Sequence, residues 1–438
     1  MPTGLSEHWS GKPAWPGVFA GLLGAWLGLS LLKFGNPIIL DRLVEPPKGF
    51  WEYVFAPWPV GWGYWMLAVL TLGAAPLVRF KTTAPRWLSV LPVIWFLWQL
   101  ASAARTVEPR LTQATLFHFA ACVVCYYLGL FALSRVRRLN WFWLFVLLGF
   151  AWVLWMGFGQ HFGGLESTRE MIRQQPGWQE LPTEYLRRIA SDRIFSTLVY
   201  PNALAGAILL FLPVMLTVLF EMTRPLNNVI RGVLVGLLAY AGCACLYWSG
   251  SKSGLLITLA CGLTLLLRLP FSRQTKLVIV GFVFLAGLTG FFIKFSEYFR
   301  RGATSVSARF DYWQAAWQIA KTHPVVGTGP GTFSILYRQI KAPESEMTRL
   351  VHNNFLEQAS DSGVIGFISF STFIIGSLAF LYRKSTADLT RFCIWIGLLG
   401  WSLQGLVEFG LYIPATAWPA FLFFGWLTGV EFESTRPD

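Results

Sequence analysis

The stretch 198–221, LVYPNALAGAILLFLPVMLTVLFE, carries no charged side chain until its last residue, Glu221. A run of that length is what one helix needs to cross a hydrocarbon core, which takes about 20 apolar residues. Reading outward, comparable segments recur at 14–34, 60–78, 87–104, 114–134, 141–160, 229–248, 254–269, 277–295, 362–382, 392–409 and 412–430. With the first they make about twelve. Composition agrees: 55% of the 438 residues are hydrophobic, 22 are Trp and 37 Phe, and the mean hydropathy is +0.52. That is too apolar for a soluble fold of this size. The expected fold class is an all-α polytopic membrane protein with about 12 transmembrane helices, residues 1–438 forming a single membrane domain. No small-x-small cleavage site separates segment 14–34 from the polar Lys33-Phe34-Gly35-Asn36, so it reads as a retained span.

Orientation follows from the basic residues, which gather in short cytoplasmic loops. An internal N-terminus places Arg79/Lys81/Arg86, Arg135/Arg137/Arg138, Arg224/Arg231, Arg268/Arg273/Lys276 and Arg383/Lys384/Arg391 all on the cytoplasmic side. With an even number of spans the C-terminus, Glu433 to Asp438, is cytoplasmic too. Much of the formal charge of +13 is then topological and calls for no nucleic-acid partner. Cys122, Cys125, Cys243, Cys245, Cys261 and Cys393 all fall within spans, which argues against disulfides. His118, Cys122 and Cys125 share one helical face, but a fourth ligand is missing, so they read as core and no metal is expected.

Under this topology the polar residues concentrate outside, in 35–59, 161–197, 247–253 and 296–361. Segment 35–59 is rich in Pro and Trp and reads as a lid or brace, with aromatics suited to the membrane interface. Segment 161–197 interleaves Arg169, Arg173, Arg187 and Arg188 with Glu166, Glu170, Glu180, Glu184 and Asp192, as solvated helix faces do. Arg193 stands apart, because it meets the mouth of a span, where a guanidinium is costly without an anion or carboxylate. Residues 247–253, Tyr-Trp-Ser-Gly-Ser-Lys-Ser, form a tight connection with Lys252 as its one charge. The longest segment, 296–361, reads as a helical loop subdomain. Its helix, near Ser307 to Lys321, has Trp313, Ala316, Trp317 and Ala320 at i, i+3, i+4, i+7 and reads as lying along the membrane surface. The glycines of His323-Pro324-Val325-Val326-Gly327-Thr328-Gly329-Pro330-Gly331 lack the strand and helix of a dinucleotide fingerprint, and read as a close-packed turn whose amides can face an anion. Val351-His352-Asn353 follows at the re-entry into the membrane. A titratable imidazole there, on the face that holds Arg193 and Lys252, is the strongest candidate for chemistry.

These residues resemble the O-antigen ligase and polymerase superfamily, bacterial inner-membrane glycosyltransferases that use undecaprenyl-diphosphate-linked glycans. The likeness covers roughly 190–380. It rests on Arg193 followed by Tyr200-Pro201-Asn202-Ala203-Leu204-Ala205, on Ser249-Gly250-Ser251-Lys252-Ser253-Gly254, on Arg309 with Trp313 and Trp317, on His323-Pro324 with Gly327-Thr328-Gly329-Pro330-Gly331, and on His352-Asn353 with Leu356. The resemblance implies a GT-C-like helical membrane fold with a periplasmic loop subdomain at 296–361. It also implies a metal-independent, inverting transfer at the periplasmic face, without a cofactor. One departure is Lys252, where the family usually has arginine: an ammonium neutralises phosphate as a point charge but makes no bidentate fork.

A glycosyl carbon on diphosphate already has a good leaving group, so the protein must stabilise departing charge and help a hydroxyl attack. Arg193 and Lys252, with Arg309, can supply that charge stabilisation, and His352 can take the hydroxyl proton as general base. The catalytic candidates are therefore His352, Arg193 and Lys252. The substrate-binding candidates are Arg309, Ser251, Asn353 and Asn202. The partners expected are the lipid-linked donor, a glycolipid or glycan acceptor, and membrane lipids. Transfer to lipid A core describes a ligase, and joining of lipid-linked repeat units describes a polymerase. A transporter or flippase is the reading from another class, with Glu408 in a late span, one turn after Gln404, as its ionisable group; pairing of Glu408 with a basic active-site residue fits the sequence equally.

Overall fold

A computed structural model describes residues 15–80, 84–174, 178, 190–300, 302–386 and 388–430. The described residues form helices and connections without a strand. Lys81, Glu180, Glu184, Arg187, Arg188 and both termini lie outside the described residues. Each of the twelve apolar segments contains a helix. Among the described residues, eight helices are long and apolar enough to cross a membrane: those beginning at Trp15, Val60, Pro109, Asn140, Pro201, Asn228, Arg273 and Asn354. The chain is a multi-pass membrane protein.

The remaining helices are shorter or less apolar, and packing explains one of them. Pro414–Gly429 has all 16 residues buried. At 1.5 Å per residue it is about 24 Å long, short of a hydrocarbon core of roughly 30 Å, and it stands at the centre of the bundle against Pro109–Phe131, Trp15–Lys33 and Pro201–Met222. Its approach to Pro109–Phe131 needs glycine. A Cβ on Gly425 would lie 1.9 Å from the carbonyl oxygen of Tyr126, and one on Gly129 2.3 Å from that of Leu422, the close backbone contact that small residues permit between membrane helices. Arg273–Lys294 is the opposite case, with no buried residue and packing mainly on Lys252–Leu266. An apolar helix that buries nothing in protein suits lipid.

The span expected at 362–382 begins earlier, because Asn353 caps a helix that starts at Asn354 and runs to Ser385. This helix breaks at Gly363 (φ 68°), where Val364 N–H donates to the Pro324 carbonyl at 2.8 Å. The surface helix runs from Thr304 to Thr322 and buries Tyr312, Ala315, Ala316 and Ile319 against Phe333, Tyr337 and Val351. The buried face is thus rotated from the expected Trp313/Ala316/Trp317/Ala320 face, and Trp317 is exposed. The helix packs on protein side chains supplied by Phe333–Ile340 and the start of Asn354–Ser385, a partner that local periodicity does not reveal.

Segment 35–59 is braced from inside. Lys33 Nζ donates to the carbonyls of Val54 (2.6 Å) and Ala56 (3.1 Å), and Asp41 Oδ1 accepts the Val60 N–H at 2.9 Å. Arg169 pairs with Glu166 and Asp192, each at 2.7 Å, at the protein surface.

Candidate active site

The chain re-enters the bundle at 193–200 through a turn in which Ser196 and Val199 hold positive φ (54° and 64°). Gln160 Oε1 pins it by accepting the N–H groups of Phe195 (3.0 Å) and Ser196 (2.7 Å). This sets Arg193 against the 247–253 turn, where Nε donates to the Ser249 carbonyl at 2.7 Å. Gly250 (φ +60°) makes room, since a Cβ there would stand 3.2 Å from Arg193 Nε. Arg193 Nη2 donates to Asn202 Oδ1 at 2.7 Å, and Asn202 Nδ2 donates to Glu408 Oε1 at 2.6 Å.

Glu408 is the hub. It lies in the connection after Leu389–Gln404, outside the membrane-length helices, and is 6% exposed. Its Oε1 also accepts from Arg309 Nη2, and its Oε2 faces His352 Nδ1 at 3.2 Å. Burial pushes this carboxyl up, but the Arg309 guanidinium and the His352 ring beside it outweigh burial and hold it at about 2. Arg309 is anchored further by donating from Nε to the Val407 carbonyl (2.9 Å) and from Nη1 to that of Ser305 (3.0 Å).

His352 has φ 56°, a left-handed conformation that costs a non-glycine residue on the order of 1–3 kcal/mol unless its surroundings impose it. They do. Val351 N–H donates to Glu357 Oε2 at 2.9 Å, Asn353 Oδ1 accepts from Phe355 and Leu356 N–H at 3.0 Å each, and Asn354 N–H donates to the Gly405 carbonyl at 2.7 Å. The ring meets Phe409 edge-on, 4.7 Å between centroids. With Nδ1 on Glu408, the nitrogen left to meet a substrate is Nε2, the tautomer and orientation that a general base requires.

Lys252 is the first residue of Lys252–Leu266, where its ammonium adds to the positive end of the helix dipole. Its Nζ sits over the Tyr298 ring, 3.9 Å from the centroid, and within electrostatic reach of Arg193 and Arg309. It has no carboxylate partner among the described residues. Among the described residues the site thus holds three cations, Arg193, Lys252 and Arg309, and one carboxylate, Glu408, a surplus of positive charge that suits an anionic ligand.

The fold therefore gathers His352, Arg193, Lys252, Arg309 and Asn202 at one end of the bundle. Ser251 and Asn353 are engaged within the chain. Ser251 Oγ accepts the Gly254 N–H at 3.2 Å, so both side chains are helix caps. Sequence reasoning noticed Glu408 for its place in a late apolar stretch but did not find the Asn202 link or Glu357. Glu357 and Asp361 are fully buried. Asp361 Oδ2 accepts from Gly331 N–H (2.7 Å) and the Tyr412 hydroxyl (3.2 Å). The glycine turn is close-packed as expected, and the anion its amide faces is this internal carboxylate. His118 is buried, its Nε2 2.7 Å from the Leu411 carbonyl oxygen, and no cluster of three or more His, Cys, Asp or Glu occurs among the described residues.

Residues 235–371 match the family model described as O-antigen ligase. Over that segment the chain is similar to the O-antigen ligase family. The matched segment is about a third of the chain and contains Ser251, Lys252, Arg309, His352 and Asn353, whereas Arg193, Asn202 and Glu408 lie outside it and join the site through the fold. An uncharacterized protein of Haemophilus influenzae is 31% identical over 99 residues, which cover 21% of this chain and 25% of that relative. Members of the superfamily are glycosyltransferase-type enzymes.

Proposed function

We propose that the protein is an O-antigen ligase-type glycosyltransferase that moves a glycan from undecaprenyl diphosphate to a hydroxyl of lipid A core, at the periplasmic face of the bacterial inner membrane. The observation that carries this reading is the placement of His352 Nδ1 3.2 Å from Glu408 Oε2, on a carboxylate that Arg309 and, through Asn202, Arg193 share. In this reading His352 Nε2 takes the acceptor proton as the hydroxyl oxygen bonds to the anomeric carbon. The bond to diphosphate breaks on the opposite side, which inverts that centre. Glu408 steadies the imidazolium, and Arg193, Lys252 and Arg309 stabilise the departing undecaprenyl diphosphate, so charge stabilisation needs no metal.

The architecture belonging to this proposal is GT-C-like. It has twelve spans in one membrane domain of 1–438, a periplasmic loop subdomain at 296–361, and both termini in the cytoplasm. Sharing of Glu408 among Arg309, Asn202 and His352 supports an active-site role over ion coupling in a transporter. The test is transfer by the purified full-length protein from a defined undecaprenyl-diphosphate glycan, with chelator present, to rough-core lipid A and to a lipid-linked repeat unit. Product on lipid A core is expected. Product only on the repeat unit makes the protein a polymerase, and no transfer to either overturns the reading.

A further inference from the structure

Next to His352 lies a cavity of about 660 Å³ between segment 36–57 and residues 347–352. His352 and Phe409 line it, while Arg193, Lys252, Arg309 and Glu408 do not. His352 therefore stands at a boundary, with the cationic cluster reached through Nδ1 and Glu408, and an open cavity elsewhere on the ring. In-line displacement at a glycosyl diphosphate needs this separation, because the attacking hydroxyl and its base must stand across the anomeric carbon from the leaving group.

Backbone strain marks the same cavity. Four non-glycine residues have positive φ among the described residues, and two of them, Val199 and His352, line it. A β-branched residue in that conformation is an outlier that only a demanding surrounding maintains. The opposite wall is preformed, since Lys33 and Asp41 tie down both ends of the 35–59 segment. Of the charges lining the cavity, Glu45 pairs with Lys48 Nζ at 3.2 Å, and Glu52 Oε2 accepts the Lys48 N–H at 2.7 Å. Arg349, three residues before His352, has no hydrogen-bond or carboxylate partner among the described residues.

We propose that this cavity is the acceptor subsite, taking a glycan whose attacking hydroxyl faces His352 and whose anionic substituent, a phosphate or carboxylate, is bound by Arg349. The inference rests on the glycosyl-transfer reading of the site.

The test uses full-length protein in detergent with a defined undecaprenyl-diphosphate glycan as donor. The acceptor is rough-core lipid A glycolipid with its core phosphates intact or removed. Leu43 lines the cavity and is largely exposed, so Leu43→Trp fills space there without disturbing the core. Leu43→Trp is expected to raise the acceptor KM by about tenfold or more and to leave the donor KM near wild type. Arg349→Ala is expected to raise KM for the phosphorylated acceptor by about tenfold, the loss of one charge-assisted contact, with little change for the dephosphorylated form and partial rescue by Arg349→Lys. An unchanged acceptor KM in Leu43→Trp overturns the subsite, and an unchanged KM in Arg349→Ala overturns its anionic recognition. Wild-type protein that transfers to neither form marks failure of the ligase reading instead. The same variants are then assayed with a lipid-linked repeat unit as acceptor, where unchanged KM overturns the subsite.

Discussion

Two polar clusters meet at the start of the Asn354–Ser385 helix, and they are built on opposite principles. Around Asp361 the polar groups face one another inside the protein: the Gly331 N–H and Tyr412 hydroxyl converge on one buried carboxyl, and Gln358 receives Trp95 and Gln99. Around Glu408 there are more cations than the one carboxylate can neutralise, and the histidine it orients opens on a cavity. The comparison separates polar residues that hold the fold from polar residues left with charge to spare. Buried groups that hydrogen-bond one another make a framework, and the surplus of positive charge is what a substrate can use.

That contrast can be broken most directly at His352. His352→Ala is expected to lower glycan transfer by a hundredfold or more, the range of lost general-base catalysis, with detergent melting temperature at or above wild type. His352→Gly sharpens the point, because glycine adopts φ 56° without strain, which offsets the lost Glu408 contact: it should be inactive with stability within about 1 kcal/mol of wild type. A large loss of stability in either variant would make the histidine part of the framework. Asp361→Ala is the converse, expected to cost about 3 kcal/mol by leaving the turn amide and Tyr412 unpaired, read as a drop in melting temperature and in folded yield.

Glu408 connects the two behaviours through pH. Its carboxyl is held at about 2, below the ordinary 4.5. A depressed carboxylate stabilises the fold above its unfolded pKa, and that contribution disappears as pH falls from about 4.5 toward 2. Melting temperature should decline across that window in wild type and less steeply in Glu408→Gln, which should already be less stable at pH 7. Equal slopes would remove the carboxylate from the network. The smallest effect is expected at Lys252. Lys252→Arg should keep activity within a few-fold, while Lys252→Ala should lower it by about tenfold or more through loss of a point charge near the leaving group. Equal activity in the two variants would take Lys252 out of the site.

Much of this was legible in the chain. Apolar runs of span length identify the helices because a backbone in lipid must satisfy its own hydrogen bonds. His352, Arg193 and Lys252 stand out in the sequence because charged or titratable groups at the mouths of spans are costly without a purpose, and the fold brings them to one end of the bundle. Ser251 and Asn353, read as substrate-binding candidates, cap helices in the fold, a use that the same residue types serve as well. The face of the Thr304–Thr322 helix was misplaced because its partner comes from residues 333–351.

The sequence by itself determined an all-helical membrane protein and the residue types available for anion binding and proton transfer, since these follow from local composition and spacing. Only the tertiary structure decided that Asn202 joins Arg193 to Glu408, that Glu408 orients His352, and that segment 36–57 walls a cavity beside the same histidine. Those contacts join positions separated by up to about three hundred residues, and which of them meet depends on how every intervening helix packs.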